Sequence, residues 1–149
     1  MHRRVSLSPA RRAWLYSTIG LLTASGAAWL VGRHWLLIEG EFGPAPHPST
    51  PWWLRLHGAA AMVFLVLLGT LLRDHVRAGW RLHRNRPSGA GLLGLCCWLT
   101  LSGYGLYYLG GEESRLWLSR LHWLPGLLWP GVLVVHIWLG RRARTKPLG

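Results

Sequence analysis

The sequence predicts an all-α integral membrane protein, a four-helix up-and-down bundle forming a single transmembrane domain over residues 1–149. Three observations predict it. Half of the residues are apolar, with eleven Trp among them. Four long segments contain no Asp, Glu, Lys or Arg. The basic residues, which give a formal net charge of +12, fall in short clusters between those segments. A soluble domain of this size can bury a core, but it does not usually carry apolar runs of this length. Strong basicity also fits nucleic-acid binding. Clusters separated by apolar runs do not line one face, however, so nucleic acid is excluded as a partner and the charge reads as orientation information.

The charge-free segments are residues 13–32, 56–72, 87–111 and 121–140. A helix rises ~1.5 Å per residue, so about 20 residues cross a hydrocarbon layer ~30 Å thick. The expected spans are about 13–32, 53–75, 88–110 and 120–140. The first ends in Thr23-Ala24-Ser25-Gly26-Ala27, and the alternative of a cleaved signal peptide would leave three spans; its apolar run is long for that role. The second segment has only 17 residues, and its helix is expected to recruit Trp52, Trp53 or the stretch after Arg73. Residues 39–51 before it hold four of the nine Pro and are expected to be an irregular outer connection. The third span follows the chain-breaking Asn85-Arg86-Pro87-Ser88-Gly89. Near span ends stand Trp14, Trp29, Trp52, Trp53, Trp80, Tyr107, Tyr108, Trp117 and Trp138, as in interfacial belts.

Thirteen basic residues lie on one side of this arrangement: Arg3, Arg4, Arg11 and Arg12; Arg73, Arg77, Arg81, Arg84 and Arg86; Arg141, Arg142, Arg144 and Lys146. The other side has four, Arg33, Arg55, Arg115 and Arg120, with Glu39, Glu41, Glu112 and Glu113. The positive-inside rule puts both termini and the middle loop in the cytoplasm of a bacterial-type inner membrane. The adjacent Cys96 and Cys97 point ~100° apart on a helix, which suits neither a disulfide nor a two-thiolate metal site. They are expected to be packing residues.

Of eight histidines, His2, His34, His47 and His83 fall in tails or loops, where a solvated role is expected. His57 and His75 belong to the second span, His122 and His136 to the fourth. An ionisable side chain inside a membrane is costly and marks a site by default. His122 and His136 are 14 residues apart, and His57 and His75 are 18 apart. These spacings are close to four and five whole turns, so each pair lies along one helix face. The two spans run in the same direction, which matches His57 with His122 at the outer surface and His75 with His136 at the inner one. Two neutral imidazoles from facing helices are what a haem iron needs for electron transfer, and two stacked haems would carry an electron across the bilayer. Arg55 and Arg120, each two residues before a histidine, supply cations for the outer propionates. The His57–His75 spacing exceeds the other by four residues, ~6 Å of helix rise. A single haem at His57 and His122 is therefore the alternative to two.

The His-x13-His of the last span, the glycines near the ligands, and Ser102-Gly103-Tyr104-Gly105-Leu106-Tyr107-Tyr108 closing the third span resemble the bacterial four-helix b-type cytochromes. That family includes small di-haem cytochromes and the cytochrome b subunits of formate dehydrogenases and nickel–iron hydrogenases. The resemblance covers roughly residues 13–142. It implies haem b as cofactor, quinone as a substrate, and electron passage between quinones and a redox partner protein. It also implies His57, His122 and His136 as axial ligands. Many members place a further ligand in the first helix; here that span has no histidine, and His75 takes its place. A stand-alone homodimer and a subunit of a larger redox complex are both compatible with this reading.

A different class of function uses the same histidines: a haem, metal or proton transporter, or an assembly factor. No buried carboxylate is expected, since Asp74 is the only acidic residue near a span and sits at a basic boundary, whereas a proton or cation pathway more often contains a buried acid. No nucleophile–base arrangement or phosphate loop points to hydrolysis. The chain is too small to hold its own dehydrogenase domain, so an electron-transfer subunit is expected rather than a stand-alone enzyme.

Overall fold

A computed structural model describes residues 8–82 and 85–145. His2, His83, Arg3, Arg4, Arg84, Lys146 and the side chain of Arg144, all read above, lie outside the described residues. The described chain is mostly helical. In order it forms α1 (Pro9–His34), β1 (Leu37–Gly40), β2 (Gly43–Pro46), α2 (Thr50–Leu71), a π-helical turn (Leu72–Val76), α3 (Arg77–Arg81), α4 (Arg86–Tyr108) and α5 (Glu112–Thr145).

Four helices are long and apolar enough to cross a membrane: Pro9–His34, the continuous Thr50–Arg81, Arg86–Tyr108 and Glu112–Arg142. Such a set is the mark of a multi-pass membrane protein. The short second segment completes its length at both ends. Thr50 and Pro51 begin the helix, and the π turn and α3 carry it on to Arg81. Large apolar side chains such as Met62, Val66, Leu101, Leu128 and Val134 are exposed. Lipid solvates that surface as readily as a protein core would.

The chain divides into two compact units, residues 1–73 and 74–149. In the first, α1 and α2 pack as a helix hairpin. Leu15, Thr18, Ile19, Ser25, Leu30 and Gly32 form the buried face of α1. Ser8 caps the helix, accepting from the Arg11 amide at 3.3 Å, with Pro9 pre-set for the first turn. At the loop end the backbones come close: a Cβ on Gly32 would stand 2.7 Å from Thr50 Oγ1.

The connection expected to be irregular is a small antiparallel hairpin, with Leu37 opposite Pro46 and Gly40 opposite Gly43. This corrects the expected irregular connection and leaves the chain mostly helical. Glu41 and Phe42 make a two-residue turn, and Gly43 adopts the positive φ of 105° that closes it. In a two-stranded ribbon both strands are edges, so Pro44 and Pro46 leave no ladder donor missing from a sheet interior.

In the second unit α4 and α5 form the other hairpin, joined through Leu109–Gly111 with Gly111 at φ 93°. Pro125 lies inside α5 and has no N–H for the carbonyl of Leu121, four residues back. The indole N–H of Trp98 on α4 donates to that carbonyl at 2.8 Å. A proline that would otherwise weaken α5 thus ties it to α4, one residue from His122.

Candidate functional site

Three of the four span histidines share one arrangement. Each lies on the second helix of a hairpin, and its Nδ1 meets a serine on the first. His57 Nδ1 is 3.3 Å from Ser25 Oγ and 3.0 Å from the Leu22 carbonyl. His122 Nδ1 is 2.9 Å from Ser102 Oγ. His136 Nδ1 is 2.9 Å from Ser88 Oγ.

The partners assign the tautomer. Ser25 donates its hydroxyl proton to the Leu21 carbonyl at 2.6 Å, and Ser102 donates to the Trp98 carbonyl at 2.7 Å. Ser88 donates to Asn85 Oδ1 at 2.7 Å. With its proton committed, each hydroxyl oxygen can only accept, so the imidazole proton is on Nδ1. For His57 the Leu22 carbonyl demands the same, because a carbonyl has nothing to donate. Nε2 then carries the lone pair. A metal-ligating histidine is usually held this way, one nitrogen donating to the protein and the other facing the metal.

His47, in the loop, is the internal contrast. The Ser49 amide donates to its Nδ1 at 3.2 Å, which requires that nitrogen to be bare. The loop histidine and these three span histidines are held in opposite tautomers.

Each of the three serines is followed by glycine, and each glycine lies beside the ring its neighbour holds. A Cβ on Gly26 would approach His57 Cε1 to 3.1 Å, one on Gly103 would approach His122 Cε1 to 3.2 Å, and one on Gly89 would stand 3.6 Å from His136 Cε1. The chain contains three Ser-Gly dipeptides, and all three serve a histidine. The serine completes the hydrogen bond and the glycine lets the ring lie against the helix. In the second hairpin the rungs are in register: Ser88 and Ser102 are 14 residues apart, as are His122 and His136.

His75 is placed differently. It sits in the π turn Leu72–Val76, so the α-helical phase of the second span stops before it. Such turns recur at functional positions because they re-aim one side chain. His75 and His136 belong to the same unit and lie within electrostatic reach of one another.

Arg55 lies over the Trp52 ring at 4.7 Å, and Arg120 over Trp117 at 5.2 Å. Both belong to a Trp-x-x-Arg-Leu-His run that occurs once in each hairpin. Two residues are about 200° of helix rotation. A guanidinium laid on the tryptophan three residues earlier therefore rests away from the imidazole face.

Sequence reasoning missed Ser25, Ser88, Ser102 and Asn85. The signal was available in the Ser-Gly dipeptides and in the shared spacing of 14. Cys96 is buried and Cys97 exposed, both as free thiols. Among the described residues no group of three or more His, Cys, Asp or Glu side chains gathers as a multi-ligand metal ion site.

The fold and the held histidines together define a multi-pass helical membrane protein with imidazoles ordered inside its helix hairpins. Comparison with known proteins finds no matching family model, no similar curated protein and no similar solved structure.

Proposed function

We propose that this protein is a membrane electron-transfer cytochrome b of a bacterial inner membrane, with both termini cytoplasmic. It passes electrons between the quinone pool and a redox partner protein. One observation carries the reading: His57, His122 and His136 are each fixed as the Nδ1–H tautomer by a serine of the neighbouring helix. Neutral imidazoles with an ordered Nε2 lone pair are the donor set haem iron takes from a protein. The residues therefore fit the group.

In this reading His57 with His122, and His75 with His136, would hold two b haems. The pairing rests on the sequence periodicity, and the electrostatic proximity of His75 and His136 supports its inner half. When bound, haem supplies one-electron chemistry by cycling its iron between ferric and ferrous states. The serines and the Leu22 carbonyl hold the ring planes, and the glycines give them room. Arg55 and Arg120 have side chains long enough to leave their tryptophans for a propionate.

The held tautomer also weighs against a proton relay through these rings. Each Nδ1–H ends on an oxygen whose own proton is committed to another oxygen.

The test is a reduced-minus-oxidised spectrum with pyridine haemochrome quantitation on detergent-purified protein, repeated for His57→Ala and His75→Ala. Two b haems per chain, one lost in each variant, is the expected result. One haem indifferent to His75 reduces the protein to a mono-haem cytochrome. No haem, despite adequate supply during expression, overturns the reading in favour of a transporter or assembly factor.

A further inference from the structure

His136 is also attached through Asn85. Asn85, the residue just before α4, has φ 51° and ψ 34°, the left-handed conformation. Asparagine tolerates that region better than most residues, and glycine better still. The conformation turns the Asn85 side chain toward α5. Its Nδ2 donates to the His136 carbonyl at 3.0 Å, and its Oδ1 accepts the Ser88 hydroxyl at 2.7 Å. Ser88 Oγ in turn accepts from His136 Nδ1 at 2.9 Å. The circuit closes on itself: ring to serine, serine to amide, amide to the backbone of the residue bearing the ring.

We propose that Asn85 is a positioning residue that sets the tautomer and orientation of His136. Two hydrogen-bond schemes compete at Nδ1. In one, the ring proton sits on Nδ1 and goes to Ser88. In the other, Nδ1 is bare and accepts from Asn85 Nδ2, which is 3.4 Å away. The second leaves a bare nitrogen facing a serine lone pair at 2.9 Å, because Asn85 Oδ1 has taken the Ser88 proton. Lone-pair repulsion at that distance decides for the first. Without Asn85 Oδ1 the hydroxyl is released to turn. Its other acceptor, the Asn85 carbonyl, is at 3.3 Å, and it can then donate to Nδ1 instead. Asn85 thus fixes which imidazole nitrogen carries the lone pair.

The ligand role of His136 rests on the cytochrome reading; the tautomer does not. The experiment separates them. Full-length protein with nitrogen-labelled histidine is examined by NMR in detergent before haem loading, as wild type, Asn85→Gly and Ser88→Ala, with His136→Gln to assign the signal. Glycine keeps the left-handed backbone, so Asn85→Gly removes the side chain alone. A single Nδ1–H form is expected for His136 in wild type. Asn85→Gly and Ser88→Ala should each move it toward a mixture of tautomers, while His122 stays unchanged. A wild-type His136 protonated at Nε2, or an Asn85→Gly protein with the wild-type signal, overturns the assignment. The same proteins are then loaded with haem. Asn85→Gly should alter the low-spin ferric EPR signal of one haem, since that signal reports imidazole orientation, and leave the other. Haem binding with no change in that signal also counts against Asn85. Failure of the wild type to bind haem counts against the cytochrome reading and leaves the tautomer result standing.

Discussion

The two helix hairpins are alike at the loop end and unlike at the other. At the loop end each has a Ser-Gly on its first helix and a Trp-x-x-Arg-Leu-His on its second, with the serine on the histidine and the arginine on the tryptophan. Fourteen residues further from the loop the second hairpin repeats the rung with Ser88 and His136. The corresponding positions of the first hairpin are Arg11 and Leu71, which cannot form one. His75 comes four residues after Leu71, about one turn later, in a stretch wound as π-helix. Three span histidines are thus held where a Ser-Gly faces them, and the fourth is carried by a different local structure.

The largest test of this comparison is ligand sharing between the hairpins. If His57 and His122 serve one iron, His57→Ala and His122→Ala each remove half of the haem, and the double variant removes no more than either alone. Haem quantitation on the three proteins checks it. Additive loss in the double variant would break the pairing and make each hairpin an independent site.

Much of this was legible in the sequence, and for identifiable reasons. Apolar length gave all four spans, since a helix in lipid has no other way to satisfy its backbone. Helical periodicity put His122 and His136 on one face, where the structure finds them meeting Ser102 and Ser88. The β-hairpin was missed because four prolines in the loop at 39–51 read as breakers, while a two-stranded ribbon tolerates Pro44 and Pro46 at its edges. The π turn was missed because residues Leu72–Val76 carry no local signal for an extra residue per turn. The serines were missed because a hydroxyl in a span reads as a back-bond to its own helix, a bond that Thr18, Thr23 and Thr100 do make. Ser25 and Ser102 make that back-bond too, and it is what commits their protons and turns them into acceptors.

The next test grades the three glycines. Gly26→Ala and Gly103→Ala push a methyl to within about 3.2 Å of an imidazole carbon. Overpacking of that kind costs ~1–3 kcal/mol, partly offset by ~1 kcal/mol of helix propensity. Gly89→Ala makes an ordinary contact at 3.6 Å and should be neutral or slightly stabilising. Unfolding followed by tryptophan fluorescence, together with haem retention, should rank Gly26 and Gly103 as the sensitive positions, one in each hairpin. Equal tolerance at all three would mean the rings are free to retreat.

The smallest effect belongs to the arginines, and it tests whether the repeated run means the same thing in both hairpins. An exposed cation–π contact is worth about 0.5–1 kcal/mol, so Arg55→Gln and Arg120→Gln should barely change stability. If His57 and His122 hold a haem, the variants' informative readout is its midpoint potential. A cation near a propionate disfavours ferric iron, so removing it lowers the potential. Because a tenfold one-electron change is about 59 mV, the loss of one partly screened charge should give a decrease of some tens of millivolts. Matching decreases would make the two arginines equivalent propionate partners that leave Trp52 and Trp117 when haem binds. Unchanged potentials in both variants would keep them on their tryptophans as anchors at the membrane interface. A decrease in only one would show that the shared run has diverged in use between the hairpins, as their far ends have in sequence.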